Sequence, residues 1–557
     1  LLVVGFQGAA LLLAPTALNV AIGVQSAGLD DVFLTWSVFA ALLISALVTL
    51  MQALQLWRFG AGHIVLTSPA AMFIAIMVAT VSAAGPSTFM GLLIVCSVVQ
   101  VALAWWLPAL RRIFTPVVTG TVTMLIAASV LPIAFDSVQD LPADVPNFSG
   151  PLIAGVTLLA LVFMTLRAGG RWRIAGPFIS IAAGCAVGAG FGLFDADRII
   201  AAAWFGIPEL PPLTLDVRPD KEFWALLPAF AILTLVLGIK TISDGTAIQQ
   251  GSWRRRRAID FRQIQGMVTV NGLGMLFAGF TSTLPPMSYS SFSISLINLT
   301  GVAARRVGIG VAVVLVAAAF ISKLAALLLA IPGPVLGAYL MLAMGMLFVS
   351  GWQTILRDGL DPRRAVVVAV ATALGLGLQN HPIMRELLGD EIGNLLGNGI
   401  TIGALVAIGM TFVLEAVNAR RSRLDVTLEM ASLPAIDEFL AQLATSLGWN
   451  DSSSIRLRAA GEETLASLLA LEVETPGAKR PRLVIDARPR DSMVELDFVA
   501  TTRAENVEDQ LAYLAAEVDL PAADDISLRL LRSYATTVRH KKFHGVDIVS
   551  VQVKGTA

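Results

Sequence analysis

Between two apolar segments long enough to cross a bilayer, residues Thr281 to Gly301 read TSTLPPMSYSSFSISLINLTG. The stretch opens on a Pro pair and then carries a dense run of hydroxyls. Hydrocarbon offers no partner to free backbone N–H and C=O groups. Non-helical chain at membrane depth therefore survives only where protein buries it or where it lines a cavity. A chain with such an insert must wrap other helices around the break. A second interrupted segment, GHIVLTSPAAMFIAI from Gly62 to Ile76, stands in the first half. Paired interruptions of this kind point to the substrate site of a secondary transporter. The competing reading is a surface loop, which would expose Ile294, Leu296, Ile297 and Leu299.

The rest of the chain agrees with a membrane setting. It is 56% hydrophobic and only 14% charged, which describes a polytopic membrane protein and not a soluble enzyme. A net charge of −1 gives no electrostatic basis for a nucleic-acid partner. Cys96 and Cys185 both lie in apolar segments and imply no disulfide framework. Residues 1–418 are almost continuous apolar segments, whereas charges crowd into 419–557.

About 14 segments of spanning length can be placed in 1–418. The third (63–83) and the tenth (285–300) are broken; the fourth covers 87–107, the seventh 174–194, the eleventh 307–330 and the last 396–418. Basic residues follow every even-numbered segment, among them Arg58, Arg111, Arg167, Arg254 to Arg257, Arg305, Arg363 and Arg420. Most loops after odd segments are acidic or neutral, such as that with Asp30 and Asp31. By the positive-inside rule the even loops and both termini are cytoplasmic in a multi-pass plasma (inner) membrane protein. Seven plus seven spans require the second half to be inverted relative to the first. The two breaks are then the third span of each half, with the site at the repeat interface.

Several motifs carry a family resemblance. RIFTPVVTGTVTMLIAASVLPIA (Arg112 to Ala134), LTGVAARRVG (Leu299 to Gly308), IPGPVLGAYLMLAMGMLFVSG (Ile331 to Gly351) and LLGNGITIGALVAI (Leu395 to Ile408) resemble those of the nucleobase–ascorbate transporter (xanthine/uracil permease) family. The likeness covers nearly all of 1–418. It implies an all-α transmembrane domain with 14 spans in a 7+7 inverted repeat, divided into a core domain and a gate domain that forms a homodimer. It also implies elevator-like alternating access, with a small-molecule substrate held between short strands of the third and tenth spans. The local chemistry is compatible. Ala71 to Ile74 after Pro69, and Ser290 to Ser293 after Tyr289, would present helix N-terminal N–H donors to a carbonyl or anionic edge. Phe73, Tyr289 or Phe292 would stack on the face of a planar heterocycle, or serve as packing residues.

The chain departs from the family where carboxylates bind substrate. The eighth span of the family has a pattern like Glu-Ala-x-Gly-Asp; here KTISD runs from Lys240 to Asp244, so Lys240 replaces the Glu and Asp244 is kept. The tenth span of the family has Tyr-x-Glu-Asn; here Tyr289, Ser290, Ser291 and Phe292 put Ser291 in place of a binding Glu. The Gln-His of the first span is Gln7-Gly8. An ionisable residue at membrane depth is a functional candidate by default. Lys240 either meets an anionic substrate such as urate, or pairs with Asp244 at i,i+4, or snorkels toward the cytoplasm. Ion coupling falls to Lys240, Asp244 or His63, and facilitated or anion-type transport is as compatible as symport. Lys323, mid-way along the eleventh segment, is a further intramembrane charge without a role.

Residues 419–432 read as a basic linker and 433–557 as a cytoplasmic α/β domain. Amphipathic helices are expected at Leu433 to Trp449 and Ser454 to Leu471, two strands within Arg480 to Ala500, helices near Asn506 to Val518 and Ile526 to Thr537, and a last strand at Val546 to Gly555. This order resembles the GHKL-type ATP-binding fold of anti-sigma-factor kinases. Its motifs are decayed: Ser467 replaces the metal-chelating Asn after Glu463, and Thr501 to Glu505 replace the Asp-x-Gly-x-Gly loop. Asp524, Asp525, Ile526 and Ser527 stand where glycines would admit phosphate. The tail is read as regulatory, with a cytoplasmic protein partner, and not as an ATPase. No metal-ligand cluster, triad or intact phosphate loop is legible, so neither an enzyme nor a cofactor is expected. The leading function is nucleobase transport, purine type, urate or xanthine first because of Lys240. The alternatives are an anion transporter of sulfate-permease type and a membrane sensor signalling through the tail.

Overall fold

The computed structural model describes residues 2–110, 115–142, 144–167, 169, 171–194, 196–213, 220–253, 258–356, 360–379, 386, 399–418, 422–470, 481–490, 493–500, 525–543 and 546–556. It divides into two compact units. One comprises Leu1–Ser252 with Gly266–Phe412, the other Trp253–Gln265 with Val413–Ala557.

Among its described residues the first unit is built of helices apart from two three-residue strands. Its elements are α1 (Leu2–Ser26), α2 (Asp31–Leu54), β1 (Thr67–Pro69), α3 (Ile74–Leu110), α4 (Pro116–Gln139), α5 (Ser149–Arg167), α6 (Arg171–Gly190), α7 (Ala196–Ala201), α8 (Lys221–Ser252), α9 (Phe261–Thr281), β2 (Pro286–Ser288), α10 (Ser290–Thr300), α11 (Arg306–Ala319), α12 (Ser322–Leu329), α13 (Gly333–Leu356), α14 (Pro362–Gln379) and α15 (Gly399–Asn418). Ends are set by local chemistry. The Asp30 carboxylate accepts from the Phe33 N–H at 2.8 Å and caps α2, while Thr115 caps α4 ahead of Pro116. Thr119, Thr121 and Thr123 return their hydroxyls to carbonyls one turn back, so α4 carries them without stranding polar atoms.

Among the described residues, eight helices are long and apolar enough to cross a membrane, or nine if α11 and α12, bent by 71°, form one span. The eleventh expected segment is thus broken near Phe320 and Ile321. Lys323 sits just past that bend, its Nζ 4.6 Å from the Trp204 ring centroid, a cation–π contact that offsets its burial. The expected third and fourth spans form one helical run that breaks at Gly85, where φ is 80°; only glycine takes that backbone freely. The expected seventh and last spans correspond to the shorter apolar helices Ala175–Gly190 and Gly399–Leu414.

Close packing relies on small residues. A Cβ on Gly120 of α4 would stand 2.5 Å from the Gly351 carbonyl of α13, and one on Gly351 would stand 2.7 Å from the Gly120 carbonyl. The two backbones touch there, as small residues permit between membrane helices.

The second unit holds β3 (Ser422–Thr427), α16 (Leu433–Ser446), α17 (Asp451–Ala470), β4 (Arg482–Arg490), β5 (Met493–Ala500), α18 (Asp525–Tyr534), β6 (Thr537–Phe543) and β7 (Val546–Lys554). The strands form an antiparallel sheet in the order β3-β4-β5-β7-β6. Leu440, Leu457, Ile485, Phe498 and Val549 lie in its core. The segment read as a linker includes β3, which pairs with β4 from Ser422↔Ala487 to Thr427↔Arg482. Strand β6 was not expected either. The helix expected near Asn506 to Val518 and the Thr501 to Glu505 substitution lie outside the described residues. Segment Trp253–Gln265 belongs to this unit: Asp260 bridges Lys542, and the Phe261 ring lies 4.9 Å from that of Phe543.

His540 on β6 is buried, 3.9 Å from Asp547. Burial first, then Lys542 and Arg262, pull its pKa down to about 3, against about 6.5 in an unfolded chain. The carboxylate of Asp547 acts the other way, but at that distance burial dominates. Above pH 6.5 neither state is protonated and stability is full. As pH falls from about 6.5 toward about 3, the unfolded state gains a proton that the folded state refuses, and stability declines. Hydrogen exchange of the full chain at neutral pH and near pH 5, corrected for intrinsic rates, is expected to show β6 and β7 losing protection at the lower pH. His540→Phe is expected to flatten that loss; an equal loss in the variant would assign the effect elsewhere.

Candidate functional site

The two sequence breaks meet. Strands β1 and β2 pair antiparallel, Thr67 opposite Ser288, Ser68 opposite Met287 and Pro69 opposite Pro286, all buried. The ladder is closed by Ala70 N–H donating to the Pro285 carbonyl at 2.8 Å and Tyr289 N–H to the Leu66 carbonyl at 3.0 Å. Prolines fix these segments as extended chain, and surrounding helices supply what the short ladder lacks. Thr67 shares a 2.8 Å hydrogen bond with Thr49 of α2 and donates to the Ser45 carbonyl. Ser68 pairs with Thr16 of α1 at 3.1 Å. Leu66 N–H donates to the Ser293 hydroxyl at 3.0 Å.

Each strand runs into a helix start. After β1 comes a single 3₁₀ turn, Ala71–Phe73, and then α3; after β2, α10 starts at Ser290. Neither start is capped by the side chain of its N-cap residue. At α10 the leading N–H groups and the positive end of the dipole are available to a ligand's acceptor atoms, whereas the Ala71 N–H after β1 is taken up by the Tyr289 hydroxyl.

Three of the expected residues form one hydrogen-bonded cluster. Lys240 Nζ lies 3.0 Å from Asp244 Oδ2, and the Ser290 hydroxyl donates to Asp244 Oδ1 at 2.6 Å. The two charged side chains retain only 17% and 8% exposure. Lys240 is therefore paired along α8 and does not snorkel. Each Asp244 oxygen accepts one bond, and Lys240, with one of its three ammonium hydrogens given to Asp244, keeps donors for a ligand. Tyr289 and Phe292 are half-buried, their rings 5.2 Å apart, and Ser291 is exposed. The Tyr289 hydroxyl donates to the Pro69 carbonyl at 3.2 Å, which holds the ring across the end of β1.

The other expected residues are placed differently. Phe73 is fully buried with its ring 6.3 Å from Phe230, and Ala71 is buried beside it. Gln7 is half-buried near the start of α1. At Gly8 a Cβ would come 2.6 Å from Val311 Cγ2 and 2.9 Å from Leu296 Cδ2, so a histidine there would require both side chains to move. His63 is half-buried in the loop before β1.

A polar network behind the strands escaped the sequence reading. Asn271 of α9 donates to the hydroxyls of Thr241 (3.1 Å) and Ser288 (3.0 Å) and accepts from Gln52 Nε2 of α2 (3.2 Å). Gln52 also donates to the Met267 carbonyl and accepts from Ala61 N–H. On α1, Asn19 donates to the Pro69 carbonyl at 3.0 Å. An amide or two in an otherwise apolar span was the available signal.

Comparison with known proteins agrees with this architecture. The chain is 27% identical over 330 residues to the Xanthine permease XanP of Escherichia coli (strain K12), covering 58% of this chain and 70% of that one. It is 27% identical over 410 residues to the Uric acid permease PucK of Bacillus subtilis (strain 168), covering 72% and 90%. It is 27% identical to the Nucleobase transporter PlUacP of Paenibacillus larvae subsp. larvae (strain NRRL B-3650 / LMG 16245), covering 74% and 94%. Among solved structures, murine Solute Carrier 26 family member A9, an anion transporter in the inward-facing state, superposes with a TM-score of 0.52 at 13% identity over 77% of this chain and 70% of that one, a likeness of fold alone. The xanthine/uracil permease model, described as Permease family, matches residues 1–384, and the chain belongs to that family.

Proposed function

We propose that this chain is a secondary transporter of purine-type nucleobases, urate or xanthine foremost, working by elevator-like alternating access in the plasma membrane. The observation that carries the reading is the antiparallel pairing of β1 and β2 next to the Lys240–Asp244–Ser290 cluster. A planar heterocycle with carbonyls on its edge suits this place. Lys240 and the first N–H groups of α10 would meet the carbonyl or anionic edge, and Tyr289 or Phe292 the ring face. Xanthine and uric acid are the substrates named for two relatives.

A 7+7 inverted repeat of 14 spans, split into core and gate domains, is favoured by the symmetry of the pairings. The two breaks pair with each other, and α4 and α13, the fifth span of each half, meet through Gly120 and Gly351. Likewise α1 packs on α11 while α8 packs on α3. A homodimer, cytoplasmic termini and a regulatory role for residues 433–557 complete the reading.

A binding screen on the purified full chain tests it. Thermal unfolding is followed with urate, xanthine, uracil, ascorbate, bicarbonate and sulfate. A purine is expected to raise the midpoint more than any other compound. A rise with the inorganic anions alone would contradict the proposal.

A further inference from the structure

The cluster on α8 also fixes the charge of the site. One carboxylate oxygen of Asp244 accepts from Lys240, the other from Ser290, so the pair sums to zero. The elements packed on α8 add nothing near it. Along 74–106 of α3, in α10 and in β2 there is no Asp, Glu, Lys, Arg or His, the Asp136 of α4 lies in its last turn, and α9, which meets α8 through Asn271 and Thr241, has its one charge at Arg262 in its first turn, paired with Asp260. The other charges of α8 itself are Lys221 and Glu222, in its first turn. Tyr289 and Tyr339 are phenols, neutral near pH 7. His63, before β1, is the one imidazole among the described residues of this unit.

A proton symporter needs a group that takes up a proton with substrate and releases it on the far side. Asp244 is ill suited to that task. Its two oxygens are tied to the Lys240 ammonium and the Ser290 hydroxyl, and its side chain is only 8% exposed. We propose that the Lys240–Asp244–Ser290 cluster replaces proton coupling in this chain: substrate crosses without a proton, and the net charge moved per cycle is the substrate's own. The inference rests on the nucleobase reading above.

The test uses the full chain in proteoliposomes and radiolabelled urate, an anion at neutral pH. At equal pH on both sides, an inside-positive potential of about 100 mV is worth roughly 2.3 kcal/mol per charge, so urate is expected to accumulate up to roughly 50-fold. At zero potential, a gradient of about one pH unit is expected to leave accumulation unchanged. Symport of one proton with the anion predicts the reverse: indifference to potential and about tenfold accumulation from the pH gradient. That result overturns the proposal, and its disappearance in His63→Gln would put the coupling proton on that imidazole. Absence of specific flux for urate and xanthine alike would instead refute the nucleobase reading, and this inference with it.

Discussion

Lys240→Ala is expected to weaken purine binding by about 100-fold. Charge-assisted hydrogen bonds contribute roughly 1.5–3 kcal/mol each, and about 3 kcal/mol is two orders of magnitude in affinity. The same change leaves Asp244 nearly buried without its cation, a defect that costs about 3–5 kcal/mol of stability in comparable buried pairs. Binding and folding therefore fall together in the single variant. A double variant, Lys240→Met with Asp244→Asn, separates them. It removes both charges, so the unfolding midpoint is expected to recover while affinity does not. Calorimetric titration and thermal unfolding of both variants read the two effects. Full affinity in the double variant would remove Lys240 from the binding site.

The second large effect is expected far from any ligand contact. Asn271→Leu strands the buried Ser288 hydroxyl and removes one bond each from Gln52 and Thr241, which keep those to the Met267 and Leu237 carbonyls. One buried polar group left unsatisfied costs about 1–3 kcal/mol and each further bond lost about 0.5–1.5 kcal/mol, so the sum is roughly 2–6 kcal/mol. Ser288 belongs to β2, and losing its anchor frees the strand that positions α10. The unfolding midpoint should drop, and hydrogen exchange across residues 66–70 and 286–290 should rise. Asn271→Asp, which keeps the acceptor for Gln52 but lacks the two donors, is expected to fall between. An unchanged midpoint in the leucine variant would show that the network does not hold the strands.

The breaks were legible because prolines and hydroxyls are costly in a lipid-facing helix, and Pro69, Pro285 and Pro286 announced them. The i,i+4 spacing made the Lys240–Asp244 pair one of three roles open to Lys240, beside an anionic substrate and snorkelling. Ser290 joining it was not legible, since the contact spans 46 residues of sequence. Gln52 and Asn271 are 219 residues apart, and nothing local tells one amide that it will meet the other. Gly8 looked like a lost histidine; packing against Val311 and Leu296 gives it a physical reason. The bend at Ile321 carries no Pro or Gly to mark it. In the second unit, β6 reads TVRHKKF, an edge strand whose basic residues obscure the alternation expected of a buried one. Strand β3 was hidden because SRLDVT has charges on its exposed positions and follows a basic run.

The location of the site is tested most directly by chemical protection at Ser291, which is exposed at the first turn of α10. Ser291→Cys in a Cys185→Ser background, with Cys96 buried, would be labelled by a small water-soluble thiol reagent with and without xanthine or urate. Labelling is expected to slow in step with purine occupancy measured on the same sample. Saturating purine that leaves the labelling rate unchanged would contradict a substrate held between β1, β2 and the start of α10.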